Sequence, residues 1–164
     1  MRYIFDIETN GFLNVCDTVH CIVLKNIDTG EILTPSNQEA VKLLENAELL
    51  IGHNIIKFDI PVLERLLSVT FRCKIFDTLV GTRLLFSDIK EKDFSIKDFP
   101  KDCIGRHSLK AWGNRIGEYK EQITTDWQTF TPEMLDYCIQ DTEVTYKLYK
   151  VIEEKGYSQE AMDL

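Results

Sequence analysis

A chain of 164 residues that is 44% hydrophobic can bury one sizeable core, and nothing in its length asks for a second domain, so residues 1–164 are read as one. No apolar run approaches the roughly 20 residues that span a bilayer, and no basic-then-apolar leader opens the chain. A membrane role is therefore set aside and a cytoplasmic protein expected. The net charge of −8 counts against a protein that coats nucleic acid, yet the charge is uneven. Residues 1–60 carry 4 basic and 9 acidic side chains, residues 61–120 carry 12 and 8, and the rest carry 3 and 10. A basic middle between acidic ends leaves room for a short contact with a strand end. Cys16, Cys21, Cys73, Cys103 and Cys138 never form Cys-x-x-Cys, which counts against a disulfide framework or a thiolate zinc site. They read as reduced core or surface thiols, and the dispersed His20, His53 and His107 as structural histidines.

Taken in order, Tyr3-Ile4-Phe5-Asp6-Ile7-Glu8-Thr9 reads as a buried strand. Side chains alternate with period two, so Asp6 and Glu8 project from one face, roughly 7 Å apart. Carboxylates in a central strand are costly unless hydrogen-bonded, paired or ligating a metal; the plain alternative is a half-exposed strand with an acidic face. Asn10-Gly11 marks a turn, and residues 19–27 and 31–34, separated by Asp28-Thr29-Gly30, complete a three-strand meander with a hairpin. Ser36 and Glu39 have capping-box spacing and open a helix with Ala40, Val41, Leu44 and Ala47 on one face. Leu49-Leu50-Ile51 reads as a buried strand, residues 58–69 as a helix with Pro61 near its start, and residues 74–76 as a further strand. Asp77-Thr78 then leads into an amphipathic stretch ending near Phe86. The order is βββαβαβα, an α/β pattern. Residues 87–105, rich in Lys and Asp, read as a long surface loop that is mobile or functional. Residues 106–116 look helical through Leu109, Trp112 and Ile116. An irregular segment follows, and Thr131 as N-cap with Pro132 starts a last helix that runs to about Glu154.

The apolar stripe of that helix runs Met134, Tyr137, Cys138, Asp141, Val144, Leu148, Val151 and Ile152, and Asp141 interrupts it. Asp136, Glu143 and Glu153 fall off the stripe and read as solvated. Tyr137 sits one turn before Asp141, which puts phenol and carboxylate on one face; the plain alternative is that Asp141 pairs with an arginine or caps something. In Gly52-His53-Asn54-Ile55-Ile56-Lys57-Phe58-Asp59 a strand ends and a helix begins. Taken singly, Asp59 is a helix cap or dipole partner and Asn54 a turn residue, although strand-to-helix junctions are where α/β folds place ligands.

The run Phe5 to Thr9, then Asn54 to Asp59, then Tyr137-Cys138-Ile139-Gln140-Asp141 resembles the three ordered motifs of the DEDDy 3′ to 5′ exonucleases. His107 to Gly113 and Asp77-Thr78-Leu79 are most similar to the proofreading domain of phage-type family A DNA polymerases. The resemblance implies a ribonuclease H-like fold with a mixed five-stranded sheet flanked by helices. It implies that Asp6, Glu8, Asp59 and Asp141 hold two divalent ions, Mg²⁺ or Mn²⁺, and that Tyr137 orients the attacking water. It also implies that Thr9, Phe12, Asn54 and Phe58 meet a single-stranded DNA 3′ end, with Phe12 as an apolar wedge, although Phe12 alone reads equally as a core residue. Asp136 stands where a histidine marks the sister branch. A polymerase subunit or domain is the implied partner, in a bacterial or phage-infected cytosol. The rival readings are an exoribonuclease and a non-catalytic nucleic-acid-binding module.

Overall fold

A computed structural model describes residues 1–118 and 123–157. Its five-stranded sheet has the order β3-β2-β1-β4-β5, built from β1 (Arg2–Thr9), β2 (Val19–Asn26), β3 (Ile32–Leu33), β4 (Leu49–Gly52) and β5 (Lys74–Asp77). β2 is antiparallel to β1 and β3, while β4 is parallel to β1 and β5, so the sheet is mixed as expected. Helices α1 (Asn37–Glu45) and α2 (Ile60–Leu67) bury one face with Tyr3, Phe5, Ile7, Leu24 and Leu50. The other face carries Ile4, Ile51 and Phe76 against α3 (Thr78–Leu85), α5 (Leu109–Ile116) and α6 (Pro132–Lys155). Burying each of the large aliphatic residues in these layers contributes about 1.5–3 kcal/mol. No helix among the described residues is long and apolar enough to cross a membrane.

The strand pairing explains where the sheet opens. β1 pairs with β2 along nearly its whole length, but its parallel pairing with β4 ends at Ile4 opposite Ile51. The second half of β1 therefore runs on beyond β4, and the crevice begins at Asp6. This is the point where the antiparallel and parallel halves meet, outside the carboxyl ends of the parallel strands. Gly52 ends β4 there: a Cβ at this position would sit 2.3 Å from Ile55 Cγ2 and 3.1 Å from the Phe5 carbonyl oxygen. Only glycine lets the chain turn away so close to β1.

Capping signals set three of the helix starts. Ser36 accepts the Glu39 N–H at 3.3 Å, Ser108 that of Ala111 at 3.2 Å and Thr131 that of Met134 at 3.4 Å. The helix expected from residue 58 is preceded by a π-helical turn, Ile55–Asp59, with Pro61 in the first turn of α2. The expected loop at 87–105 requires correction, because it contains α4 (Ile89–Asp93) and a 3₁₀ turn, Lys101–Cys103. Asp93 fixes this excursion from beneath. Its buried carboxylate accepts from Arg115 Nε and Nη2 at 2.8 and 2.7 Å and from the Gly105 N–H at 2.8 Å. The Arg115 guanidinium lies 4.6 Å from the Trp112 ring centroid and 5.4 Å from that of Phe99. Burial works to raise the Asp93 pKa, but Arg115 and the Gly105 amide hold it below the usual carboxylate range.

Removing the cation of such a pair leaves a buried charge, so Arg115→Met should cost about 3–5 kcal/mol of stability at pH 7, read from urea denaturation. Because the Asp93 pKa is depressed in the folded state, this contribution is complete above the unfolded carboxylate pKa and fades as pH falls through the folded value. The gap between wild type and Arg115→Met should therefore narrow on acidification, and a constant gap would exclude this pair as its source.

Candidate active site

Period-two alternation sends Tyr3, Phe5 and Ile7 to one side of β1 and Asp6 and Glu8 to the side that faces α6. A ligand atom from each of Asp6, Glu8 and Cys138 lies within 4.8 Å of the others. Cys138 donates to Asp6 Oδ2 at 3.4 Å. Its thiol pKa is pushed well above the ordinary value, first by burial, then by its hydrogen bond with Cys21 and by the charges of Asp6 and Glu8. Cys138 is thus a protonated donor beside the carboxylate. Its reading as a reduced core or surface thiol holds no sign of this contact with the acids; its place three residues before Asp141 on the same stripe is the available signal.

Asp59 is 4% exposed and makes no side-chain cap bond to α2, which overturns its reading as a helix cap. The π-helical turn carries it inward. Oδ2 is buried with no hydrogen-bond partner among the described residues. Burial, and then the charge of Asp6, raise its pKa well above the ordinary carboxylate value, and the backbone N–H groups of Asp59 and Ile7 only partly offset this. Asp141, also 4% exposed, comes from the buried stripe of α6 and shares a cavity with Asp6.

Asp77 positions the loop that leads to Asp59. Its Oδ1 accepts the N–H groups of Asn54 and Leu79 at 2.8 and 2.9 Å, and Oδ2 accepts that of Ile56 at 3.0 Å. One carboxylate therefore caps α3 and holds Asn54 in the left-handed conformation, φ 62°. Nearby, His53 Nε2 lies 2.8 Å from the His107 carbonyl, which can only accept, so Nε2 carries a proton. His53 Nδ1 lies 2.8 Å from Thr78 Oγ1. The structural role expected for His53 is therefore to tie the loop to the start of α5.

Two cavities flank the acids. One, of about 590 Å³, is lined by Asp6, Asn54 and Asp141 and walled by Arg83, Arg106, His107 and Asp102, the last paired with Lys110. His107 has a lowered pKa, from burial and then from Arg115 and Arg83, so it is neutral near pH 7. The other, of about 680 Å³, is lined by Glu8, Thr9, Phe12, Phe58 and Trp127. Phe12 is 81% exposed there, which removes its core reading. Thr9 is buried, and its hydroxyl donates to the Gly11 carbonyl at 2.8 Å, holding the turn that presents Phe12. The outer wall is fixed by His20 Nε2, 2.6 Å from the Trp127 carbonyl. Tyr137 is the outlier. It is half-buried and lines a hollow of about 170 Å³ with Ile123, Asp136 and Gln140.

The donor set fits a divalent cation. Carboxylate oxygens are hard ligands, the one thiol is protonated, and a buried oxygen of Asp59 has no partner among the described residues. A cation among these groups would relieve the charge crowding that raises the Asp59 pKa.

Comparison with known proteins agrees with this geometry. The profile of a 3′–5′ exonuclease family matches residues 8–156. The DNA-directed DNA polymerase of Escherichia phage T7 is 32% identical over 93% of this chain, and that of Enterobacteria phage T3 is 30% identical over the same share. The chain spans 27% of the length of either polymerase. Among solved structures, Brucella melitensis NrnC with bound Mg²⁺ superposes with a TM-score of 0.67, covering 99% of this chain and 78% of that one at 18% identity. That likeness is one of fold, which is ribonuclease H-like.

An Asp59 pKa raised by folding means that stability falls as pH rises from the unfolded carboxylate value, about 4, through the folded value. Asparagine has no charge to bury. In chelator, Asp59→Asn should therefore unfold at higher urea than wild type at pH 7, with the advantage vanishing below about pH 4. Divalent metal should restore wild type more than the variant. An equal urea midpoint at pH 7 would show that Asp59 carries no such strain.

Proposed function

The chain belongs to the 3′–5′ exonuclease family, and on that premise we propose that it releases nucleoside 5′-monophosphates from single-stranded or frayed DNA 3′ ends, proofreading for a DNA polymerase. The observation that carries this reading is the crevice itself, where acids from β1, the π-helical turn and α6 lie between a cation-walled cavity and an aromatic one.

In this reading Asp6, Glu8, Asp59 and Asp141 hold two divalent ions, Mg²⁺ or Mn²⁺. When bound, such ions supply Lewis-acid stabilisation of the phosphoryl group and a deprotonated water as nucleophile. The chain's own residues do the rest. Phe12 and Phe58 offer ring faces to the terminal base, beside the turn that Thr9 holds. Arg83 and Arg106 face the phosphates, and neutral His107 accepts from Trp112 Nε1 at Nδ1, which leaves its Nε2–H to donate. Asn54, fixed by Asp77, offers its amide at the same wall. Tyr137 orients the attacking water by hydrogen bonding.

Digestion of a 5′-labelled DNA strand and a matched RNA strand, in Mg²⁺, Mn²⁺ or chelator, tests the reading. DNA should shorten stepwise from its 3′ end in metal and stay intact in chelator. Internal cuts first, turnover in chelator, or preference for the RNA strand would overturn the proposal. Asp6→Ala and Asp141→Ala should lower the rate about a hundred- to a thousandfold, the scale on which removing a preorganised electrostatic group acts. Tyr137→Phe should leave a measurable remainder, because it removes a positioning bond and no ligand.

A further inference from the structure

We propose that α4 and the Gly105 turn form a second nucleic-acid contact, a track for the single strand upstream of the terminus held at the acids. The inference rests on the exonuclease reading for its substrate class, but its geometry is separate. Arg83 and Arg106 stand on the wall of the Asp6 cavity. The residue before Arg106 is Gly105, in the left-handed region at φ 72°, and a Cβ there would lie 3.3 Å from Lys90 Cβ and Cγ. Arg106 and Lys90 are thus neighbours across a glycine, with both side chains exposed. One helical turn on, the Phe94 N–H reaches the Lys90 carbonyl at 3.4 Å, and the phenylalanine is 67% exposed. The i, i+4 spacing sets Phe94 beside Lys90 on one face. From Arg83 and Arg106 on the cavity wall the run continues to Lys90 and then Phe94.

Three cations followed by an aromatic ring are what a single strand needs: positive charge along its phosphates and a flat face for an unstacked base. Other basic groups nearby are already used. Among the described residues Lys92 pairs with Asp88 and Lys110 with Asp102, whereas Arg83, Lys90 and Arg106 make no ion pair. The track is also rigid beforehand. Asp93 accepts from both Arg115 and the Gly105 N–H, so the salt bridge beneath α4 fixes Lys90 and Arg106 relative to each other. Little ordering is then lost on binding. The basic middle of a chain with net charge −8 thereby acquires a location.

The test measures binding and turnover in parallel. Anisotropy of a 5′-fluorescein oligothymidylate 12-mer in chelator is titrated against salt for wild type, Lys90→Gln and Phe94→Ala, each verified as folded by circular dichroism. Lys90→Gln should flatten the slope of log affinity on log salt by about 0.7, the value of one phosphate contact on a single strand. Phe94→Ala should weaken the 12-mer about tenfold, within the range for loss of one base stack. In Mg²⁺ the ratio of KM for a dinucleotide to KM for the 12-mer should fall in both variants, since only the longer strand reaches α4. Unchanged affinity and slope in both variants would overturn the track, as would unchanged strand binding with loss of binding to a DNA polymerase, which would mark a protein interface. Failure of wild type to release nucleotide from the 12-mer in Mg²⁺, with the binding effects intact, would instead sink the exonuclease reading and leave the track standing.

Discussion

The arrangement depends on repulsion among carboxylates that the fold holds together. Burial raises the pKa of Asp59, and the charge of Asp6 raises it further, so keeping that carboxylate ionised costs stability. A fold can carry that cost only if its elements are fixed by other contacts. Here β1 is held by β2 on one side and by β4 up to Ile4, while both faces of the sheet are covered by apolar layers. The acids lie just past the last β4 pairing, where the sheet no longer supplies a partner strand. Crowded charge and an open crevice thus have one structural cause.

Asp77 shows how such a site is kept in register. It does not line the cavity, yet three backbone N–H groups converge on it, one from Asn54 just before the π-helical turn and one from Ile56 within it. Without those bonds, the left-handed Asn54 would have little to hold it against the usual cost of that conformation. The turn that aims Asp59 inward depends on the same loop. A buried acid that caps a helix in the ordinary way therefore sets the position of a second acid that caps nothing.

How much was legible follows from the range of each signal. Periodicity is local, so the shared face of Asp6 and Glu8 and the inward place of Asp141 could be read from the strand and helix patterns alone. Proline and hydroxyl residues likewise marked the starts of α1 and α6. Asp59 was ambiguous because a π-helical turn rotates a side chain without changing composition, and a cap and an inward acid occupy the same position in sequence. The excursion at 87–105 read as open loop because its anchor is a pair 22 residues apart, Asp93 and Arg115, and neither residue alone predicts the other. Residue type alone makes Cys138 a reduced core or surface thiol. It is buried, but the composition could not show that its neighbour would be Asp6.

The charge distribution carries the argument one step beyond the acids. A polyanion approaching a chain of net charge −8 meets repulsion at long range, and salt screens that repulsion over about 8 Å at physiological strength. Within that distance only local charge matters. Arg83 and Arg106 stand on the wall of the cavity that Asp6 and Asp141 share, so attraction and repulsion act on one phosphate backbone a few residues apart. In the proposed function, a cation bound among the acids would offset the repulsive part and leave Arg83 and Arg106 to act on the strand. Metal occupancy and strand binding should then strengthen each other, because each removes the electrostatic penalty that the other faces. Reciprocity of this kind needs no conformational change: it follows from setting Asp6 and Asp141 in one cavity with two guanidinium groups.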